Sequence, residues 1–321
     1  MKLFWRSVLG VLLVMPVHLS LAADNAPSML ASGHVDDAIA TLQTEIKRAP
    51  QDADLQNLLC RAYFSLEDWD RGIAACEEAV NLAPNNAIYH MWLGRIYGEK
   101  ADASSFLSAA GLARKVRNEF ERAVQLNPEN VEARTDLAEF YLEAPGIVGG
   151  GRDKAEAQAQ ILSRNAPARA HWVNARIAEK KKDLATAEKE YRAAIDASRS
   201  GALAWFNLAL FYRHRERWDE MENTVMKATQ GEIDHPEVLM ESGEILIRSG
   251  RNYPAAIRLL RRYLASGSIV EEAPAFKAHY LLGIALEKQG DKQGAAQEYR
   301  AALSLARNFG RAKEALAKVN R

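Results

Sequence analysis

The sequence predicts an all-α fold, an α-solenoid built from stacked antiparallel helix pairs. Three observations carry this expectation. Alanine is abundant and β-branched residues never gather into alternating runs, which favours helices over strands. Large and small apolar residues recur 34 positions apart, as in Leu42 and Cys76, Leu59 and Leu93, Tyr63 and Tyr97, Tyr191 and Val225, and Ala194 and Ala228. Prolines punctuate the chain at related intervals, with Pro50 and Pro84 also 34 apart and Pro128 and Pro167 continuing the series. A period of this length with helical spacing inside it marks a supersecondary unit that cannot bury its apolar side alone and must stack on its neighbours.

Residues 1–22 read as a signal peptide. Lys2 and Arg6 supply positive charge, Val8 to Met15 form an uncharged apolar run, Pro16 breaks it, and Ser20-Leu21-Ala22 has the small-x-small pattern that precedes cleavage. Cleavage is expected after Ala22 or one residue later. The stretch from Ser7 to Ala23 is 17 residues and contains Pro16 and His18, which is short for a membrane span, and no other apolar run is long enough to cross a bilayer. The expected location is therefore periplasmic or secreted. Residues 23–321 then form a single solenoid. Basic and acidic residues balance at 42 each, and loss of Lys2 and Arg6 leaves the mature chain slightly acidic. A chain without a basic surplus is a poor partner for nucleic acid.

Within the mature chain, Ala38, Ile39, Leu42 and Ile46 mark the second helix of a partial first pair. Seven full pairs are expected at about 53–84, 87–128, 131–167, 168–199, 202–233, 236–268 and 276–307, and Asn308 to Val319 as a last helix that solvates the end of the array. The pair at 168–199 is degenerate, with Asn174 and Ala178 where leucine and tyrosine recur elsewhere. First helices carry a large residue, a leucine, a small residue and a tyrosine at fixed offsets. Examples are Gln56, Leu59, Cys60, Tyr63, then His90, Leu93, Gly94, Tyr97, then Arg134, Leu137, Ala138, Tyr141, and then Trp205, Leu208, Ala209, Tyr212. Second helices carry a small residue, a large one and a small one, as in Gly72, Cys76, Ala79 and Ala295, Tyr299, Ala302. This pattern resembles the tetratricopeptide-repeat family over nearly all of the mature chain. The resemblance implies a protein-binding scaffold, with no cofactor of its own.

Two pairs exceed the period. The pair at 87–128 is ten residues too long around Ala101 to Lys115, and the next is five too long around Ala144 to Lys154. Equivalent turns lie along one edge of a solenoid, so Phe106, Leu107, Val148, Gly149, Gly150 and Gly151 are expected on a common rim. The glycine run lacks a preceding strand and the Gly-Lys-Ser/Thr context of a nucleotide loop, so a turn is expected. An alternative reading makes it an anion-cupping site for a helical enzyme.

Catalytic motifs are otherwise missing: there is no Gly-x-Ser-x-Gly, His-Glu-x-x-His or Cys-x-x-Cys, so neither catalytic nor metal-ligating residues are assigned. His90, His171 and His279 recur at one repeat position, which argues for packing. Cys60 and Cys76 occupy facing positions of one helix pair, close enough for a disulfide and equally suited to two buried thiols.

By the family resemblance, the concave groove is lined by first-helix residues not used in stacking. These include Asn57, Arg61, Arg95, Glu139, Trp172, Arg176, Phe206, Arg213, Met240 and Tyr280. Arg61, Arg95 and Arg176 share one repeat position. Guanidinium groups so placed suit carboxylates, which points to a protein or peptide partner with an acidic stretch.

Overall fold

The computed structural model describes residues 26–231 and 233–320, so the expected signal peptide lies outside the described residues, as do the side chains of Phe106 and Leu107. The described residues form seventeen α-helices and no strand. A short opening unit comprises α1 (Ala26–Ala31) and α2 (Val35–Arg48). Seven antiparallel pairs follow: α3 (Ala53–Ser65) with α4 (Trp69–Leu82), α5 (Ala87–Asp102) with α6 (Phe106–Leu126), and α7 (Val131–Glu143) with α8 (Arg152–Leu162). Next come α9 (Pro167–Lys180) with α10 (Leu184–Ala197), and α11 (Ala202–His214) with α12 (Trp218–Ala228). Last are α13 (Glu237–Arg248) with α14 (Tyr253–Ala265), α15 (Ala275–Lys288) with α16 (Lys292–Leu305), and a single helix α17 (Gly310–Val319).

Helix starts are set locally. Asp52, Asn86, Asn130, Asp183, Asn252 and Asp291 each stand just before a helix and accept a hydrogen bond from a first-turn backbone amide. Such caps satisfy donors that have no partner inside the helix and contribute about 1 kcal/mol each. Inside a pair, a small residue on the first helix lets a large one on the second approach. A Cβ added to Gly94 would lie 2.5 Å from the Phe120 ring, and one added to Gly283 would lie 2.4 Å from Tyr299. These positions need glycine because no side-chain atom fits the gap.

The recurrent tyrosines tie each pair to the one before it. The Tyr63 hydroxyl accepts from Gln43 at 3.0 Å, Tyr97 donates to Glu77, and Tyr141 donates to Glu121 at 2.9 Å. All three links span 20 residues, one register of the stack. Tyr191 and Tyr299, on second helices, instead bond back across their own pair to Glu179 and Glu287 at 2.6 and 2.8 Å. The recurrent histidines also work within pairs. Their Nδ1 atoms lie 2.6, 2.8 and 2.6 Å from Glu119, Glu190 and Glu298 for His90, His171 and His279. Each imidazole is thus paired with the second helix, which is the packing role their recurrence implies. Cys60 and Cys76 form a disulfide across α3 and α4, with Cα atoms 5.1 Å apart.

The first insertion is not a long loop. Only residues 103–105 separate α5 from α6, and α5 has 16 residues against 13 in α3, while α6 has 21 against 14 in α4. The excess has gone into helix, which keeps the added backbone hydrogen-bonded. The second insertion is a compact turn at 144–151. Arg117 of α6 donates to the Val148 carbonyl at 3.4 Å, so the turn rests against the lengthened helix of the preceding pair.

The array curls until its two ends meet. Leu30, Val35, Ala38 and Ala62 of the first units share one buried apolar patch with Phe276, Ala302, Ala306, Phe309 and Ala312 of the last. A Cβ on Gly33 would lie 3.1 Å from the Ala275 Cβ. The Arg307 amide donates to Asp36 at 2.6 Å, Arg311 pairs with Glu67 at 2.9 Å, and Arg61 pairs with Glu271. The last helix was expected to solvate an open end. Instead it opens on Phe309 and Ala312, which are buried in this seam.

Two glycines on α5 offer a direct check of the register. Gly98 has open space where a Cβ would stand, whereas Gly94 has the Phe120 ring. Gly94→Ala is expected to destabilise by about 1–3 kcal/mol through over-packing. Gly98→Ala is expected to stabilise by about 0.5–1 kcal/mol, because alanine loses less backbone freedom in a helix. Denaturant titration reads both; shifts of the same sign would contradict the packing of α5 on α6.

Candidate functional site

The inner wall carries a half-open cavity of about 830 Å³. Its walls come from α3, α5, α6, α7, the loop between α14 and α15 and the start of α15, with Phe64, Trp92 and Phe140 as aromatic surface. The added lengths of α5 and α6 contribute Ala101, Asp102, Ala109 and Ala113, and the second insertion contributes Ala144 and Pro145. Of the expected groove residues Arg61, Arg95 and Glu139 line this space, beside parts of both insertions, whereas Val148 and Gly149 to Gly151 of the expected rim do not.

Arg61 and Arg95 both line this cavity and both pack on Trp92, with guanidinium carbons 5.1 and 5.0 Å from its ring centre. Cation–π contacts of this kind contribute about 0.5–2 kcal/mol. Neither arginine is free. Arg61 donates from Nε and Nη2 to the two carboxylate oxygens of Glu271 at 2.8 and 2.5 Å. Arg95 donates to Asp136 at 2.6 Å and Glu132 at 3.2 Å. Arg176 donates to Glu143 at 2.7 Å and packs beside Trp172. The carboxylates that these guanidinium groups suit are thus supplied, within the chain, by Glu271, Asp136, Glu132 and Glu143. The cavity wall in fact has a carboxylate surplus, with Glu99, Asp102, Asp136, Glu139, Glu143, Glu271 and Glu272 against Arg61, Arg95 and Lys277.

Burial governs the electrostatics of these groups. It pushes the Glu271, Asp136 and Glu139 carboxyls up, opposed in each case by the arginine beside it. Glu99 is raised by burial and then by neighbouring Asp102, and burial lowers Lys277. On α13, burial together with Glu237 and Glu244 pushes Glu241 up to about 7. Desolvation disfavours the charged form of each of these groups, whatever its sign.

Other expected site residues fall differently. Asn57, Phe206 and Met240 are buried in the stack and are not available to a partner. Val148 is buried as well, and the exposed apolar residue on that turn is Ile147, at 89% exposure. Tyr280 packs between Tyr299 and Phe309. Trp172 is half-buried and touches both large apolar clusters, joining the two halves of the array. Glu139 is part of the cavity wall, and Arg213 is half-buried outside it.

The glycine run is a closed turn. The amides of Gly149, Gly150 and Gly151 donate to the carbonyls of Gly146, Pro145 and Tyr141, and Lys154 donates to the Gly149 carbonyl. An anion cup needs amides that point outward unbonded. This loop has spent all three.

Sequence reasoning missed Trp92, Asp136, Glu271 and Lys277. Trp92 and Asp136 were readable, since they occupy one repeat position next to the flagged residues. Glu271 and Lys277 enter the cavity only because the ends meet.

An all-α solenoid of two-helix repeats, with first helices lining the inner wall, is a protein-interaction architecture. The tetratricopeptide repeat matches residues 24–87, 58–115, 148–202, 183–220 and 240–312, and the chain belongs to that family. Among solved structures it is similar to a tetratricopeptide repeat protein from Parabacteroides merdae. Identity is 15%, with 94% of this chain and 98% of that one covered and a TM-score of 0.47. It is also similar to the tetratricopeptide protein TTC0263 from Thermus thermophilus, at 18% identity, covering 59% of this chain and 98% of that one, with a TM-score of 0.49. No curated protein matches it. No helix among the described residues is long and apolar enough to cross a membrane.

Glu241 yields a pH test. Its carboxyl is raised from 4.5 to about 7, so between those values the folded chain holds a proton that the unfolded chain has released. Stability from this group therefore falls as pH rises through that window. Glu241→Gln preserves the neutral shape. It is expected to leave stability unchanged at about pH 4 and to raise it by about 1–3 kcal/mol at about pH 8. Equal effects at both pH values would contradict a buried, proton-holding Glu241.

Proposed function

We propose that the protein is a binding scaffold of the bacterial periplasm or cell exterior, and that it holds a segment of a partner protein in the cavity enclosed by α3, α5, α6 and α7. The observation that carries this reading is the convergence of the groove and both insertions on a single space of about 830 Å³. That volume falls within the usual range for a ligand site, about 300–1,000 Å³, and accommodates several side chains. The walls combine aromatic faces with charged groups of both signs, so they suit a mixed peptide surface rather than a purely apolar ligand. Export is supported by the charged, apolar and small-residue pattern of residues 1–22. The Cys60–Cys76 disulfide fits an oxidising compartment. The alternative, a helical enzyme built on the glycine run, loses its anion donors to the internal hydrogen bonds of that turn.

A photo-crosslinking amino acid at Gly98, which lines the cavity with open space around it, reads the binding face. The comparison position is Met226, half-exposed on the second helix α12. In a Gram-negative host, the expected result is a discrete crosslinked partner from Gly98 and none from Met226, on a mature chain beginning at Ala23 or one residue later. Equal crosslinking from both positions contradicts the cavity as binding site, and an intact Met1 contradicts export.

A further inference from the structure

The seam where the ends meet differs from every other interface in the array. Consecutive units are joined by the chain itself, whereas the seam has no covalent link. Its buried apolar part combines five alanines with Leu30, Val35, Phe276 and Phe309, and Met29, Ile39, Leu58, Leu66, Tyr280, Leu303 and Leu305 pack against it.

Arg61 has a register-specific reason to reach across. In the following pair, Arg95 finds Asp136 one repeat further on. The residue of α5 equivalent to Asp136 is Trp92, so Arg61 has no carboxylate at that place in the next unit. Its carboxylate comes instead from Glu271, 210 residues away in sequence. The loop that carries Glu271 is held from below. The Tyr263 hydroxyl accepts from the Val270 amide at 3.0 Å and donates to the Ala273 carbonyl at 2.6 Å, and Tyr263 is wholly buried. Glu271 thus stands on a firm base, and only its side chain crosses the gap.

Of the three ion pairs over the seam, Arg61–Glu271 alone is largely buried on both sides, at 25% and 13% side-chain exposure. A buried ion pair fixes one arrangement more than it stabilises it, because the charges recover their hydration when they separate. The closed register is therefore specific while opening remains accessible.

We propose that the ring is gated at this seam, with Arg61–Glu271 as its latch. Opening parts α1–α3 from α15–α17 and exposes the cavity from the side. A folded loop or helix of another protein can then enter without threading through the ring. The gate is a property of the ring alone and holds whatever occupies the cavity.

Nitroxide labels on Ser32→Cys and Asn308→Cys, both exposed and on opposite sides of the seam, report its width by pulsed electron resonance. Cys60 and Cys76 are bonded to each other and do not compete for label. The parent is expected to show mainly the short distance. In Glu271→Ala the longer-distance population is expected to rise about tenfold, equivalent to about 1.4 kcal/mol. The exchanged pair Arg61→Glu with Glu271→Arg is expected to return it toward the parent, with circular dichroism unchanged throughout. Should Glu271→Ala lose helicity, Glu271→Gln takes its place. An unchanged distance distribution in the latch variant, or an exchanged pair that folds and yet stays as open as the single variant, overturns the proposal.

Discussion

Two ends that would each need a cover are the constraint on which this structure rests. A stacked-repeat protein leaves an apolar face at each terminus, and such faces are normally closed by polar capping units. Here the first units and the last cover one another. The opening helix α1 has only six residues, too few to shield α2 and α3 by itself, and the patch beneath it is completed by Phe276 and Phe309. From that single contact follow the inward turn of Glu271, the burial of the concave wall and the enclosure of the cavity.

Between the ends, the fold is a repetition of two local devices. Small residues such as Gly94 and Gly283 let the helices of a pair approach, and tyrosines such as Tyr97 and Tyr141 link each pair to the one before. The charged groups then sort by what curvature does to them. On the outer turns they remain hydrated and count for little. On the inner wall they lose water, and the arginines respond by pairing, with Arg95 between Asp136 and Glu132 and Arg176 beside Glu143. Glu241, flanked by Glu237 and Glu244 instead of a cation, responds by holding its proton.

Much of the fold was legible because a solenoid is nearly one-dimensional. Each pair touches its neighbours, so the 34-residue spacing of Tyr63 and Tyr97 reports a real contact register, and all seven helix pairs stand where the spacing puts them. The histidines could be read the same way, since residues that recur at one repeat position meet the same neighbour. The candidate site was only partly legible. Repeat position alone placed Asn57, Phe206 and Met240 on the inner face, but it could not reveal how far that face is covered once the array closes. Arg61 lines the cavity, yet its partner lies 210 residues away, and no period connects them. The ten surplus residues of the first insertion became helix, because a run of good helix formers lengthens the flanking helices at lower cost than leaving its backbone unpaired.

Closure of the ring can be tested on the folded protein by one bond. The Arg307 amide donates to the Asp36 carboxylate at 2.6 Å, so the two residues are direct neighbours across the seam, as a disulfide requires. The double variant Asp36→Cys with Arg307→Cys should oxidise within the monomer under mild conditions. It would link the first and last units and make the chain migrate faster on a non-reducing gel than after reduction. Failure to form that bond, or formation only between molecules, would show an open array and contradict the closed ring.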